Sequence, residues 1–422
     1  MTAYQVTDEL YLWWLGQPDR PTLIGTLRLL RATSGVSLQY SPEWLRGGFS
    51  LSEDLPLTGG EHLPTERSSV AGAVDDARPD RWGERVIRLI DKPPRLSLLE
   101  YLFFAGDERF GALSVSTSAG TYLPQPSGPL PRLADVEEIR ELVRRVEANE
   151  PVPEAKRRLI ASGTTLGGAR PKALIELDGR QWAVKFAELG DNTDTPLIEH
   201  ACLTLAAEAG IRVAETRPIR LAQGHAVAVL RFDREVQGER VRRVHAQSAF
   251  VALRAEGNAP GYPELAQLLR RRGAVEGGVA KAQMRELFRR MVFNILMDNT
   301  DDHEKNHVLL MDDAQHLRLA PAFDVLPTAQ ALGYQQMRVG VDANNSTIQN
   351  ALSEAAQFGL SKAESMAETT RVAEVCARWK SHFAQAGITA RDIEYLSQFI
   401  DREFLVAQRN EFKGAAPIRT RC

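Results

Sequence analysis

The chain has 422 residues, 43% hydrophobic and 25% charged, with a formal net charge of −3. A chain of this size buries a large core and is expected to form about two or three domains, while so small a net charge excludes global attraction to nucleic acid or an anionic membrane. Three cysteines, Cys202, Cys376 and Cys422, have neither metal nor redox spacing, which argues against a disulfide framework and for a reducing, cytoplasmic setting. The apolar stretch Leu10 to Leu15 is far short of the ~20 residues of a membrane span, and the N-terminus lacks a signal-peptide pattern, so no membrane association is expected.

From Leu10 to Leu38, short apolar runs separated by Gly-Gln-Pro-Asp and Thr-Ser-Gly turns predict hairpins. Two helices follow, Asp80 to Ile90 and Leu96 to Leu102, kept apart by Pro93 and Pro94. Residues 1–120 are therefore read as an α+β domain. Pro124, Pro126, Pro129 and Pro131, with Gly128 among them, sustain neither helix nor central strand and mark a linker over 121–134.

A second segment, 135–232, carries the glycine-rich run Gly163 to Lys172. Two β-type runs come next, Ala173 to Leu177 and Trp182 to Phe186, joined at Asp178-Gly179, a strong hairpin signal. A glycine loop feeding a hairpin whose return strand carries a lysine is the layout that covers ATP phosphates in kinase N-lobes, with Gly167, Gly168 and Ala169 over the phosphates and Lys185 as their ligand. The glycines match neither G-x-G-x-x-G nor a Walker motif, and a plain tight turn is the alternative. A helix is predicted over 196–209, with Thr195 as N-cap, Pro196 at its first position and Gly210 beyond its end. Glu199 in its first turn either holds Lys185 toward the phosphates or compensates the helix dipole. The strand 226–232 leads to a hinge at which Phe232 is either an adenine neighbour or core.

Residues 233–422 read as helical, with little strand signal apart from 308–311 and the run before Asp324, and with a frayed tail from Lys413. The basic runs Arg242-Arg243 and Arg270-Arg271-Arg272 read as solvated helix faces. One helix carries an apolar stripe at Leu287, Phe288, Met291, Val292, Ile295 and Leu296, then stops. Directly after it stands Asn-Thr-Asp-Asp-His-Glu-Lys-Asn, 299–306, in which Asp301 precedes Asn306 by five residues. Protein-kinase-type phosphotransferases use that spacing, the acid deprotonating the attacking hydroxyl and the asparagine binding magnesium. A second metal ligand, Asp324, follows in Phe323-Asp324-Val325. His303 is read as organising this loop through hydrogen bonds, and Lys305 as touching the γ-phosphate or simply exposed.

The same letters give His303-Glu304-Lys305-Asn306-His307, an H-E-x-x-H zinc-hydrolase pattern. That motif needs a helix, whereas Asp298 to Asp302 has loop composition.

Taken together, these residues resemble the HipA-like serine/threonine kinases, the toxin components of HipA/HipB toxin–antitoxin modules. The likeness rests on Thr165 to Lys172, Lys185, Leu230-Arg231-Phe232-Asp233-Arg234, Asn299 to His303 with Lys305-Asn306, and Ala322 to Val325. Further N-terminal matches are Tyr40 to Leu45, Leu55-Pro56-Leu57 and Arg78-Pro79-Asp80-Arg81. It implies an α+β, protein-kinase-like (HipA-type) fold with an α/β N-terminal region, a mainly α-helical C-terminal lobe, and ATP and Mg2+ as cofactors. It also implies Asp301 as base, Asn306 and Asp324 on metal, Lys185 on phosphate, and autophosphorylation at Thr165 or its neighbour Thr164. Family targets include aminoacyl-tRNA synthetases, and the implied partner is a small helix-turn-helix, HipB-like antitoxin through which DNA contact is indirect. Asp302 stands where the best-known member has glycine, and Thr165 where it has serine. Two rival readings are the zinc hydrolase and a non-catalytic, antitoxin-binding co-repressor.

Overall fold

The structure, a computed structural model, describes residues 4–125, 128–161, 168–238, 240–255, 257 and 260–413. Thr164, Thr165, Gly167 and the tail beyond Lys413 lie outside the described residues. The chain divides into two compact units, one from Met1–Gly190 and Leu230–Gln247, the other from Asp191–Val229 and Ser248–Cys422.

The first unit is built on an antiparallel five-stranded sheet in the order Glu61–His62, Gly35–Tyr40, Thr22–Leu30, Glu9–Trp14, Leu113–Ser116. Leu10 and Leu12 alternate onto one face, and with Ile24, Val36 and Leu38 they are fully buried. Each such side chain withdrawn from water contributes about 1.5–3 kcal/mol. The predicted helices form at Arg81–Ile90 and Leu98–Phe104. Asp80 caps the first by accepting from the Gly83 N–H at 2.8 Å, and Ser97 with Glu100 makes a capping box on the second. The Asp-Gly hairpin also forms: Lys172–Leu177 pairs with Arg180–Lys185, and Asp178 and Gly179, at φ 53° and 69°, turn the chain as a two-residue hairpin loop requires.

Three strands stand where helix was expected, Ala246–Ser248 and the two of a short ribbon. Arg234–Gln237 pairs antiparallel with Arg240–Arg243, so Arg242 and Arg243 lie on a strand and not on a helix face. The ribbon strands are only four residues long and largely charged, and their one apolar cross-strand pair, Val236 with Val241, is exposed. A two-fold hydrophobic alternation never develops. Arg243 is itself buried and donates to the Asp107 carbonyl at 2.6 Å.

The second unit is mainly helical. At its centre runs Val279–Leu296, whose predicted stripe of Leu287, Phe288, Met291, Val292, Ile295 and Leu296 is completely buried. Helices Tyr262–Arg272, Ile348–Ser353, Lys362–Cys376 and Glu403–Phe412 pack around it. Arg270 to Arg272 fill the last turn of Tyr262–Arg272, where cations oppose the helix dipole. The helix predicted over 196–209 spans Thr195–Glu208, with Asp194 at the N-cap position and Gly210 beyond the end at φ 80°. This one-residue shift moves Glu199 out of the first turn. Asp194 does not cap with its side chain because its carboxylate is held by His225 Nδ1 at 2.6 Å. Val308–Met311 forms the predicted strand and pairs with Leu317–Leu319. Cys202 and Cys376 are buried free thiols. Among the described residues, no helix is long and apolar enough to cross a membrane.

Candidate active site

The loop of the second unit starts where the central helix fails. Asp298 adopts φ 55°, turning the chain away from the helix axis after Met297. Its buried carboxylate accepts from Arg402 Nη2 at 2.6 Å, and its carbonyl accepts from the Thr328 N–H and hydroxyl, both at 3.0 Å. Burial raises the Asp298 carboxyl despite the opposing charge of Arg402. Asn299 is tied back to Asn294 through backbone (2.9 Å) and side chain (3.0 Å), and the Thr300 and Thr328 hydroxyls meet at 2.6 Å. The entry to the loop is thus fixed by three successive side chains.

The two adjoining acids have opposite surroundings. Asp301 is exposed, whereas Asp302 is 2% exposed and accepts from His307 Nε2 at 2.7 Å and from the Tyr262 hydroxyl. Burial pushes the Asp302 carboxyl up, but the His307 charge and hydrogen bond and the Tyr262 hydroxyl outweigh it, leaving the group below the ordinary carboxylate value. Burial, with the Asp302 charge added, drives the Tyr262 phenol well above its usual value.

His303 is extended (φ −131°, ψ 169°), and its buried Nδ1 has no hydrogen-bond partner among the described residues. The imidazole that binds the loop acid is His307. Lys305 is exposed, with Nζ 5.1 Å above the Phe250 ring. Asn306 is buried, and its backbone N–H donates to the His303 carbonyl at 2.9 Å. Glu304–Asn306 is one turn of 3₁₀ helix between two extended histidines, so His303, Glu304 and His307 do not share the α-helical face a zinc hydrolase requires. Among the described residues no cluster of three or more His, Cys, Asp or Glu is placed to hold a metal. A magnesium site places a smaller demand on the protein, since one or two oxygen ligands suffice when phosphates complete the shell.

The hairpin 308–319 carries the chain to the second loop. Asp324 sits at φ 58°, a conformation that costs a non-glycine residue free energy and clusters at functional sites, and its N–H donates to Glu199 Oε1 at 3.2 Å. A cavity of about 10 Å³ beside Asn306 and Phe323 has room for roughly one water, far too little for a nucleotide.

The first unit carries the other candidates. Gly168 has φ 87°, and its carbonyl accepts from Lys172 Nζ at 2.9 Å; the same ammonium meets Asp80 Oδ2 at 3.1 Å. Trp82 Nε1 donates to the Lys172 carbonyl at 2.8 Å. Ala169 is exposed, and buried Lys185 ends its strand directly across from Lys172. Phe232 is half-buried and meets Phe110 edge-on at 5.9 Å between centroids. On either side of it Arg231, Asp233 and Arg234 form a buried ion cluster: Asp233 accepts at 2.7 Å from both guanidiniums and at 2.8 Å from the Gly111 N–H. Burial would raise the Asp233 carboxyl, but the two arginines hold it far below the usual range.

Sequence reasoning missed Tyr262, Arg402 and the tie between Lys172 and Asp80. Asp80 stood at the start of a predicted helix; nothing local marks the other partners.

Residues 20–116 match the HipA N-terminal domain and residues 164–383 the HipA-like C-terminal domain. The second match alone covers more than half of the chain, which therefore belongs to the HipA family. The chain is 30% identical over 162 residues to the putative kinase Y4dM of Sinorhizobium fredii (strain NBRC 101917 / NGR234), an alignment spanning 36% of this chain and only 38% of that protein. Among solved structures it is similar to a chain of the Shewanella oneidensis MR-1 toxin–antitoxin complex of HipA, HipB and operator DNA, with TM-score 0.66 and 18% identity over 95% of this chain and 97% of that one. This likeness is one of fold, and the mixed helix-and-sheet, HipA-type architecture expected from the sequence is the one observed. The Helicobacter pylori proinflammatory kinase CtkA gives TM-score 0.43 at 14% identity, over 58% of this chain and 93% of that one.

Proposed function

We propose that the chain is an ATP- and Mg2+-dependent serine/threonine protein kinase of the HipA toxin type, acting in the cytoplasm. The observation that carries this reading is the loop 298–307, which presents an exposed Asp301 five residues before the buried Asn306 and is followed by a hairpin and by Asp324. Family membership supports it. In this reading Asp301 accepts the proton of the acceptor hydroxyl. Asn306 and Asp324 offer hard oxygen ligands of the kind magnesium takes, and the bound ion would offset the charge of the phosphates. Glu199 holds the Asp324 loop through its N–H, Lys185 neutralises phosphate, Gly167, Gly168 and Ala169 cover it, and Phe232 adjoins adenine. Lys305 lies next to Asn306 as a further cation for phosphate. Thr165 or Thr164 is the autophosphorylation site, which would bring about −1.5 to −2 charges against the site for ATP's own phosphates.

The partner in this reading is a HipB-like helix-turn-helix antitoxin, through which DNA is contacted indirectly, as the composition of the Shewanella complex suggests. The substrate is a cellular protein, with aminoacyl-tRNA synthetases the first class to screen. The test is intact-mass spectrometry of wild type and Asp301→Asn after incubation with Mg·ATP. An adduct of about +80 Da, one phosphoryl group, on Thr164 or Thr165 of wild type alone is expected. Finding no adduct and no ATP binding in phosphate-free wild type would overturn the kinase and leave the antitoxin-binding co-repressor.

A further inference from the structure

The acid and the amide of the candidate site, Asp301 and Asn306, are each followed directly by one member of a buried pair, Asp302 and His307. The pair is closed by a 2.7 Å hydrogen bond from His307 Nε2 to Asp302 Oδ2, so it spans the same five-residue gap one position further along the chain. The pair is anchored on two helices. The Tyr262 hydroxyl, from the first turn of Tyr262–Arg272, bonds the same Asp302 oxygen, and the Asn294 side chain, from Val279–Leu296, donates to the Tyr262 oxygen at 3.3 Å. Asn294 in turn holds Asn299, two residues before Asp301. The Tyr262 and His307 rings also meet edge-on, with centroids 5.5 Å apart. Tyr262, Asn294, Asp302 and His307 are each no more than 4% exposed, and neither the acid nor the imidazole is placed to meet a substrate.

We propose that Tyr262, Asp302 and His307 act as a staple of positioning residues that fixes the separation and orientation of Asp301 and Asn306. The inference rests on the kinase reading, because it assigns the staple to the base and the metal ligand of that reaction. A five-residue loop with a single 3₁₀ turn has many conformers of similar energy; cross-linking the residues next to its two working positions selects one. Supporting groups of this kind are worth about 10- to 100-fold in metal affinity or turnover.

The test uses the full chain. His307→Phe keeps an aromatic ring and removes the donor; His307→Gln restores a donor near the Nε2 position; Asp302→Asn/His307→Phe also removes the stranded buried charge. Turnover of ATP and Mn2+ affinity in the presence of a non-hydrolysable ATP analogue, read by electron paramagnetic resonance, are measured on each. For His307→Phe, kcat falls about 10- to 100-fold, KM for ATP stays within about twofold and Mn2+ binds about tenfold more weakly, while His307→Gln recovers most of both. The double variant regains stability without regaining kcat, which a purely structural pair would not do. Wild-type kcat and Mn2+ affinity in His307→Phe, full recovery of kcat in the double variant, or no recovery in His307→Gln would each overturn the staple. Should His307→Phe not fold, Tyr262→Phe takes its place, with a loss of several-fold in kcat expected and wild-type kcat overturning the idea. Failure of the underlying reading is distinguishable: wild type would then be inert, or Asp301→Asn as active as wild type. In that case hydrogen exchange at amides 301–306, which the staple must slow relative to His307→Phe, decides the proposal alone.

Discussion

Each unit buries an aspartate completely, yet the two are neutralised in different ways. Asp233 of the first unit lies between the guanidiniums of Arg231 and Arg234 and takes a backbone N–H as well. Asp302 of the second has a phenol and an imidazole, and no arginine bonds it among the described residues. Guanidiniums stay charged at any pH a protein survives, so the first arrangement is a permanent structural weld. The second relies on hydrogen bonds aimed along specific directions, which fixes geometry more than it adds stability. A buried ion cluster next to Phe232 and a directional network next to Asp301 are therefore signs of different tasks.

The sharpest way to break this contrast is to remove the acid from the weld. Asp233→Ala leaves two buried guanidiniums without their carboxylate and should cost about 3–5 kcal/mol in urea unfolding. Asp302→Asn keeps the volume and part of the network; its cost should be about 1–3 kcal/mol, with the larger effect on turnover. Equal losses in stability would erase the distinction. Acid titration sharpens it further. Both carboxyls are depressed in the folded chain, so each contributes stability that is present above the unfolded carboxylate value and is lost as pH falls through the folded one. Melting temperature should fall below the ordinary carboxylate range, and Asp233→Ala should flatten that fall. The smallest effect is at Lys305, whose exposed contact with Phe250 is worth about 0.5–1 kcal/mol. Lys305→Ala should hardly move the melting temperature, so a clear drop in turnover would place the ammonium on phosphate.

Where local chemistry decides, the sequence was legible. Asp178-Gly179 supplied the positive φ of its hairpin, and the stripe from Leu287 to Leu296 specified a buried helix and its end. The loop 299–306 was found by spacing, but its internal division of labour was not. His303 looked like the organising imidazole because it stands two residues after Asp301; the bond to a loop acid is made instead by His307, a full 3₁₀ turn later. Tyr262 and Arg402 reach the loop from 40 and 104 residues away, and no short-range pattern encodes such partners. The strands 234–243 escaped because their charged, exposed faces carry no hydrophobic period.

The bond from Lys172 to Asp80 bears on how freely the parts of this chain can be exchanged. Residues 20–116 and 164–383 match separate HipA domains, which invites treating them as interchangeable modules. Yet the ammonium that holds the Gly168 carbonyl is itself held by Asp80, and the Lys172 carbonyl by Trp82, both from the N-terminal match. Excising that portion would take the Asp80 carboxylate and the Trp82 indole away from a buried lysine that follows Gly168. A swapped N-terminal domain would work only if it brought its own aspartate and indole to those two atoms.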